Sequence, residues 1–192
     1  MSAATLLEPK PAAMPLLNGE ALYEIVNGQR VELPPMSVYS SWLTSRLSYR
    51  LGPFAELQTL GHVVVETLFI LDPKEDLRRR PDLAFVSKER WPLDKPIPET
   101  GDWQVVPDVA IEVSSPNDIV ADLLDKIEEY FVYKVRQVWL VLPSENKVYI
   151  YHSPKKVDIL TVTDELDGGD IIPGFRLKLA DLFRNPAVAV NA

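Results

Sequence analysis

The sequence predicts an α/β protein of the α+β type: a central mixed β-sheet flanked by helices, entered through an N-terminal β-hairpin. Three observations predict it. Asn27-Gly28 separates two short strand-like runs, a strong signal for a tight hairpin. Leu83–Ser87 and Val109–Ser114 are almost continuously apolar, as strands covered on both faces are. The order of elements (hairpin, helix, three strands, helix, further strands) departs from the alternation of a doubly wound fold.

Taken in order, residues 1–17 are rich in alanine, leucine and proline without periodicity and read as a loose arm. Residues 18–185 read as one domain and 186–192 as a tail, with no internal repeat or dividing linker. Leu22–Val26 and Gln29–Leu33 form the hairpin, and Pro34-Pro35 stops its second strand. Tyr39, Leu43, Leu47 and Leu51 recur every four residues, which predicts a helix ended by Gly52-Pro53. His62–Leu71, β-branched and apolar, predicts a single strand, and Asp72–Arg80 a charged turn. A proline-rich surface loop from Ser87 to Pro107 joins the two central strands; loops of that length are often functional. Pro116-Asn117-Asp118 opens the main helix, which runs to about Lys134. Val138–Leu142 and Val148–Tyr151 make a second hairpin, Val157–Thr163 an edge strand, and Ile171–Arg184 a short strand and short helix. Trp42, Trp91, Trp103 and Trp139 serve as core or loop anchors.

Composition narrows the function. A chain of 192 residues with 46% hydrophobic and 25% charged residues suits a globular domain with a sizeable core. No apolar run is long enough to span a bilayer, and Met1–Leu17 lacks the pattern of a signal peptide. There is no cysteine, hence no disulfide and no thiolate metal site. The expectation is a cytoplasmic protein with no membrane partner. A net charge of −8 argues against nonspecific coating of nucleic acid, yet leaves room for a nuclease whose carboxylates hold cations. Neither GxGxxG nor GxxxxGK[ST] occurs, which removes dinucleotide and P-loop chemistry, and GxSxG is absent too. His62 and His152 lack paired spacing and receive no role.

The chemistry-bearing residues cluster in three stretches. Asp82 follows Arg80-Pro81 at a strand start; its plain alternative is a structural carboxylate paired with Arg78, Arg79 or Arg80. Glu112 sits inside the apolar run Val109–Val113, where a carboxylate is costly unless paired or bound to a cation. Alternation puts Ala110, Glu112 and Ser114 on one face, and an open sheet face is the alternative for Glu112. In the main helix Ile119, Leu123, Ile127, Tyr130 and Phe131 gather into one stripe, with Lys126 at its edge and Asp125 facing solvent. Lys126 can carry its amine back over the sheet or pair with Asp122 one turn earlier. Two carboxylates on neighbouring strands and a lysine at the same spot suit metal-assisted cleavage of phosphodiesters. Glu24 and Glu32 flank the hairpin turn as candidate further carboxylates, with ordinary strand polarity as the alternative. Arg79 and Arg80 are candidates to meet a substrate phosphate, or else belong to a solvated turn.

From Leu22 to Phe183 the chain resembles the Uma-two family of the PD-(D/E)XK restriction-endonuclease-like superfamily. The resemblance is carried by Tyr23–Gly28, Arg80–Val86, Pro107–Pro116, Asp122–Tyr130, Val135–Val141 and Ile172–Phe175. It implies a restriction-endonuclease-like core in which Asp82 and Glu112 hold Mg²⁺ or Mn²⁺. The lysine usually found two residues after the glutamate is replaced by Ser114, and Lys126 from the following helix takes its part. Glu24 matches the glutamate of the first hairpin. Two positions depart from the family: Tyr39-Ser40 where a histidine is common, and Lys134 where a glycine is usual. The expected function is a metal-dependent endonuclease acting on DNA. Asp82, Glu112 and the main-chain carbonyl of Val113 would be ligands, Lys126 would orient or deprotonate the water, and Glu24 and Asp122 would be accessory. A homodimer would offer one site to each strand. The rival is a catalytically silent nuclease fold kept for binding protein or nucleic acid.

Overall fold

Asn27 and Gly28 adopt φ of 53° and 70°, folding β1 (Tyr23–Val26) antiparallel onto β2 (Gln29–Glu32). The computed structural model describes residues 21–116 and 118–184; the arm at 1–17 and the tail at 186–192 lie outside them. Helix α1 (Val38–Leu57) follows, started by Ser37, whose hydroxyl accepts the Ser40 amide at 3.0 Å. Next come β3 (Gly61–Val65), β4 (Phe69–Asp72), β5 (Leu77–Arg79), β6 (Leu83–Ser87) and β7 (Val109–Val113). After helix α2 (Val120–Val132) the chain continues through β8 (Gln137–Leu142), β9 (Lys147–Ser153), β10 (Lys156–Leu160), β11 (Glu165–Asp167), β12 (Arg176–Lys178) and α3 (Leu179–Phe183). The central sheet is six-stranded, in the order β10-β9-β8-β7-β6-β3, with β7 and β8 parallel and its other pairs antiparallel. A second sheet runs β2-β1-β5-β4, and β11 pairs with β12.

Side-chain parity divides the core. Leu83, Phe85, Val109, Ile111, Trp139 and Val141 face α1, packing on Leu43, Leu47 and Leu51. Ala84, Val86, Ala110, Val138 and Leu140 face the other way, toward Ile127 and Tyr130 of α2 and toward Trp91 and Trp103 of the long loop. Asp82 and Glu112 share the parity of this second set. Ala84 lies directly opposite Ala110, so the strands carry their smallest side chains where the second layer settles on them.

Four elements differ from expectation. Helix α1 continues through Gly52-Pro53, because Ala55 extends the buried stripe and Phe54 packs edge-on against Phe175. The carbonyl that Pro53 deprives of its donor belongs to Tyr49, a residue on the solvent side of the helix, where water can replace the bond. His62–Leu71 is two strands rather than one: Glu66, at φ 47°, breaks the run, sending β3 to the central sheet and β4 to the second. The charged segment before Asp82 is a turn only as far as Asp76. Leu77–Arg79 is a strand, with Leu77 and Arg79 buried and Arg79 neutralised by carboxylates. Strand β11 (Glu165–Asp167) was not anticipated; it pairs with the short strand expected within Ile171–Arg184, which falls at Arg176–Lys178. Each of these strands buries one leucine, too few for a period to show. Helix α2 starts two residues after Asp118, at Val120, and Lys156–Leu160 supplies the edge strand.

At the end of the central sheet remote from Glu112, Asp108 is buried and accepts the Ser87 amide at 2.8 Å. Arg90 and Arg136 pair with it at 3.0 and 3.4 Å. Nearby, Trp139 donates to Gln137 at 2.6 Å.

Helix α2 ends in a paired cap: the Val135 amide donates to the Tyr130 carbonyl and the Lys134 amide to that of Phe131. That cap requires a left-handed residue, and Lys134 supplies it at φ 73°. A lysine there carries a steric cost that glycine avoids. Lys134→Gly is expected to stabilise the fold by about 0.5–1 kcal/mol, read from urea unfolding. A loss of stability would mean that the lysine side chain contributes more than its backbone costs.

Candidate active site

The site forms where the C-terminal end of β7, the start of β6, strand β1 and helix α2 converge. The β6–β7 register pairs Leu83 with Ile111, so one step further sets Asp82 beside Glu112. The Val113 amide donates to Asp82 Oδ2 at 2.6 Å, clamping that carboxylate to the neighbouring strand. Glu112 is only 6% exposed. Tyr130 donates its hydroxyl to Glu112 Oε1 at 2.7 Å, and Lys126 Nζ approaches both Glu112 oxygens at 3.0 and 3.1 Å. Lys126 and Tyr130 lie one helical turn apart, so both reach the sheet from one face of α2.

The same lysine binds Glu24 Oε1 at 2.8 Å. Glu24 also accepts the Arg80 main-chain amide at 2.8 Å, while its other oxygen pairs with Arg79 at 2.7 Å. Arg79 in turn holds Glu129 of α2 at 2.6 Å. Arg80 Nε donates to the Tyr23 carbonyl at 3.1 Å, and its Nη1 donates to the Glu66 carbonyl.

Charge is not balanced here. Burial pushes Asp82 up to about 6, and the Asp118 and Glu66 carboxylates add to the effect; the Val113 amide and Lys126 only partly oppose it. Glu112 rises to about 7, chiefly through burial and then through Asp82 and Glu24, with Lys126 and Tyr130 pulling the other way. Burial acts against Glu24 as well, but Lys126 and Arg79 outweigh it and hold that carboxyl below the usual range. Burial likewise opposes the charge on Lys126, yet Glu112 and Glu24 overcome it and raise its pKa. Four carboxylates (Glu24, Asp82, Glu112, Glu129) thus face two cations (Arg79, Lys126), a surplus that one divalent cation would cancel.

The donor chemistry fits a hard cation. Carboxylate oxygens are its preferred ligands, and Asp82 Oδ1 has no hydrogen-bond partner among the described residues. No cluster of three or more carboxylate or imidazole ligands suited to a metal occurs among the described residues. That is not the all-protein cage of a calcium site, but it suits Mg²⁺, which commonly takes one or two carboxylates together with water and substrate phosphate.

Of the residues singled out in the sequence, Asp82, Glu112, Lys126, Glu24 and the Val113 backbone come together. Arg79 joins them from the inside as a partner of Glu24, and Arg80 through its main chain. Asp122 does not: it is exposed on α2, and Lys126 turns to Glu24 and Glu112 instead. Glu32 lies on the exposed strand β2. Tyr130 and Glu129 were missed as polar partners. Tyr130 sits in the apolar stripe, and its spacing from Lys126 was the available clue.

The fold is that of a nuclease-like protein. The structure superposes on the crystal structure of a "putative nuclease belonging to DUF820" from Anabaena variabilis ATCC 29413, with a TM-score of 0.71. The match covers 84% of this chain and 89% of that one at 19% identity, so it shows a shared fold. Residues 12–180 match the Uma2 (Uma-two) family, described as "putative restriction endonuclease", and the chain belongs to that family. No curated protein matched it. Among the described residues no helix is long and apolar enough to cross a membrane.

The raised carboxyls make stability depend on pH. A carboxyl held at about 6 in the fold, against 3.8 otherwise, favours the native state most when protonated. That contribution is complete below about pH 4 and is lost as pH rises through 6. Asp82→Asn, which keeps an acceptor for the Val113 amide, is expected to be more stable than wild type by about 2 kcal/mol at pH 8 in chelator-treated buffer. The gap should close toward pH 4. Unfolding curves at the two pH values check this, and a gap that does not change with pH would contradict it.

Proposed function

We propose that this protein is a metal-dependent endonuclease that hydrolyses DNA phosphodiester bonds. The observation that carries the reading is the convergence of Asp82, Glu112 and Lys126, from two strands and a helix, at one end of the central sheet. Asp82 and Glu112 would hold Mg²⁺ or Mn²⁺, with the Val113 main-chain carbonyl as a further ligand. When bound, the cation supplies Lewis-acid polarisation of the phosphate and makes a coordinated water more acidic.

The chain's own residues then divide the work. Tyr130 fixes the rotamer of Glu112, so that one carboxylate oxygen is oriented before any ligand arrives. Lys126 keeps its proton, because two carboxylates stabilise the charged form. It is therefore suited to donate a hydrogen bond to the attacking water and to steady charge on the phosphate, more than to act as the base. Glu24 is already paired with two cations, Lys126 and Arg79, and accepts the Arg80 amide, so its part is to position the lysine rather than to hold the metal.

Calorimetry with Mn²⁺ tests the reading. Wild type should bind at micromolar to sub-millimolar concentration, and Asp82→Ala and Glu112→Ala should each abolish binding. Silence in the wild type, with and without a short DNA duplex, would move the assignment to a non-catalytic nuclease fold. Glu24→Gln separates the roles further: cleavage should slow by about 10²-fold with Mn²⁺ affinity nearly unchanged. A variant that loses Mn²⁺ instead would make Glu24 a ligand.

A further inference from the structure

Beside this site lies a cleft of about 280 Å³. Leu68, Ile97, Pro98 and Trp103 give it apolar walls, and Arg80 and Asp102 contribute its charged groups. We propose that the cleft binds a single nucleotide of the substrate strand, unstacked from its neighbours, with Arg80 on a phosphate and the base between the apolar walls. The inference rests on the nuclease reading above and extends it to how the substrate is held.

Three features support it. The first is what happens to three consecutive arginines. Arg78 pairs with Asp76 and Asp102, and Arg79 with Glu24 and Glu129. Arg80 bonds instead to the neutral carbonyls of Tyr23 and Glu66 and lies 5.6 Å from the Tyr23 ring centre. Among the described residues no carboxylate pairs with it, so its charge is left for a ligand. Arginine suits a phosphate through its planar fork of donors.

The second is placement. Arg80 is two residues from Asp82, its amide holds Glu24, and Glu66 donates its amide to the Asp82 carbonyl at 3.2 Å. A phosphate on Arg80 is thus one short stretch of backbone from the two carboxylates.

The third is that the cleft is preformed. The loop carrying Trp103 is tied to β4 by Ile70 N to Trp103 O at 3.0 Å and Trp103 N to Leu68 O at 2.9 Å, and by Arg78 to Asp102 at 2.5 Å. Trp103 stacks on Phe69 at 5.7 Å, while its Nε1 is buried with no hydrogen-bond partner among the described residues. The volume lies just below the usual range for ligand pockets, too small for a duplex groove and suited to one base. A preformed slot that offers both polar and apolar surface lowers the cost of taking a base out of its stack.

The test uses the full-length chain in EDTA, so that no cation can hold the phosphate. Deoxyadenosine monophosphate is titrated and followed by tryptophan fluorescence. Saturable millimolar binding is expected, with deoxyadenosine and inorganic phosphate each about tenfold weaker, since each engages half of the slot. Ile97→Trp fills the cleft from a residue 46% exposed and should weaken the nucleotide about tenfold while leaving Mn²⁺ affinity untouched. Arg80→Gln should reduce nucleotide binding to the level of deoxyadenosine. No saturable binding by the wild type, equal binding by Ile97→Trp, or phosphate binding as tightly as the nucleotide would each overturn the proposal. If Mn²⁺ binds through Asp82 and Glu112 but the nucleotide does not, the cleft assignment falls and the metal site survives. If the nucleotide binds and Mn²⁺ does not, the nuclease reading falls instead.

Discussion

One buried ionic chain holds the functional half of this molecule together: Glu129 to Arg79, Arg79 to Glu24, Glu24 to Lys126, Lys126 to Glu112. It passes from α2 to the second sheet, back to α2, and down onto the central sheet. Removing Lys126 would leave Glu112 buried without a cation, which typically costs about 3–5 kcal/mol, more than an exposed ion pair is worth. The hairpin is therefore not an ornament on the nuclease-like core. Without β1 and β5 the lysine would lose half of its anchoring and the helix its link to Arg79. Lys126 is fixed from two sides, by Glu24 of the second sheet and Glu112 of the central one.

Much of this was legible beforehand. The Asn27-Gly28 turn, the two apolar central strands and the α2 stripe from Leu123 to Phe131 each carry a local signal that tertiary structure had no reason to override; Ile119, assigned to the same stripe, instead precedes the helix and is exposed. Glu112 announced itself as a carboxylate in an apolar strand, and parity grouped it with Ala110 and Ser114, but that α2 covers this face is known only from the structure. What stayed hidden depended on partners far away in sequence. Leu77–Arg79 looks like a turn until Glu24 and Glu129 neutralise Arg79 and let it be buried. Tyr130 belongs to the apolar stripe by spacing, and its hydroxyl acquires a function only when Glu112 is placed opposite. Pro53 signalled an end to α1, but burial of Phe54 and Ala55 decided otherwise. The break at Glu66 is a backbone choice within an otherwise good strand pattern, and pattern alone does not reveal it.

The electrostatic surplus gives the site its character. Proteins usually bury carboxylates with matched donors. Here two of them, Asp82 and Glu112, are pushed toward neutrality chiefly by burial, which the nearby Lys126, shared with Glu24, only partly offsets. Such shifts cluster at functional sites, although structural ion networks produce them as well. The geometry around the pair is specific: it lies at one end of the central sheet, with the Val113 amide, Tyr130 and Lys126 donating to it.

The two ends of the central sheet carry different duties. Around Asp108, the Ser87 amide, Arg90 and Arg136 close a cluster in which the buried carboxylate is satisfied on every side, and it touches none of the residues around Glu112. Around Glu112 carboxylates outnumber the cations that meet them. Mutational tolerance should accordingly follow position along the strands more than depth in the core. Directed evolution for heat resistance has most to gain near Asp108, where added stability leaves chemistry alone, and random drift should be purged hardest a few residues further along the same strand.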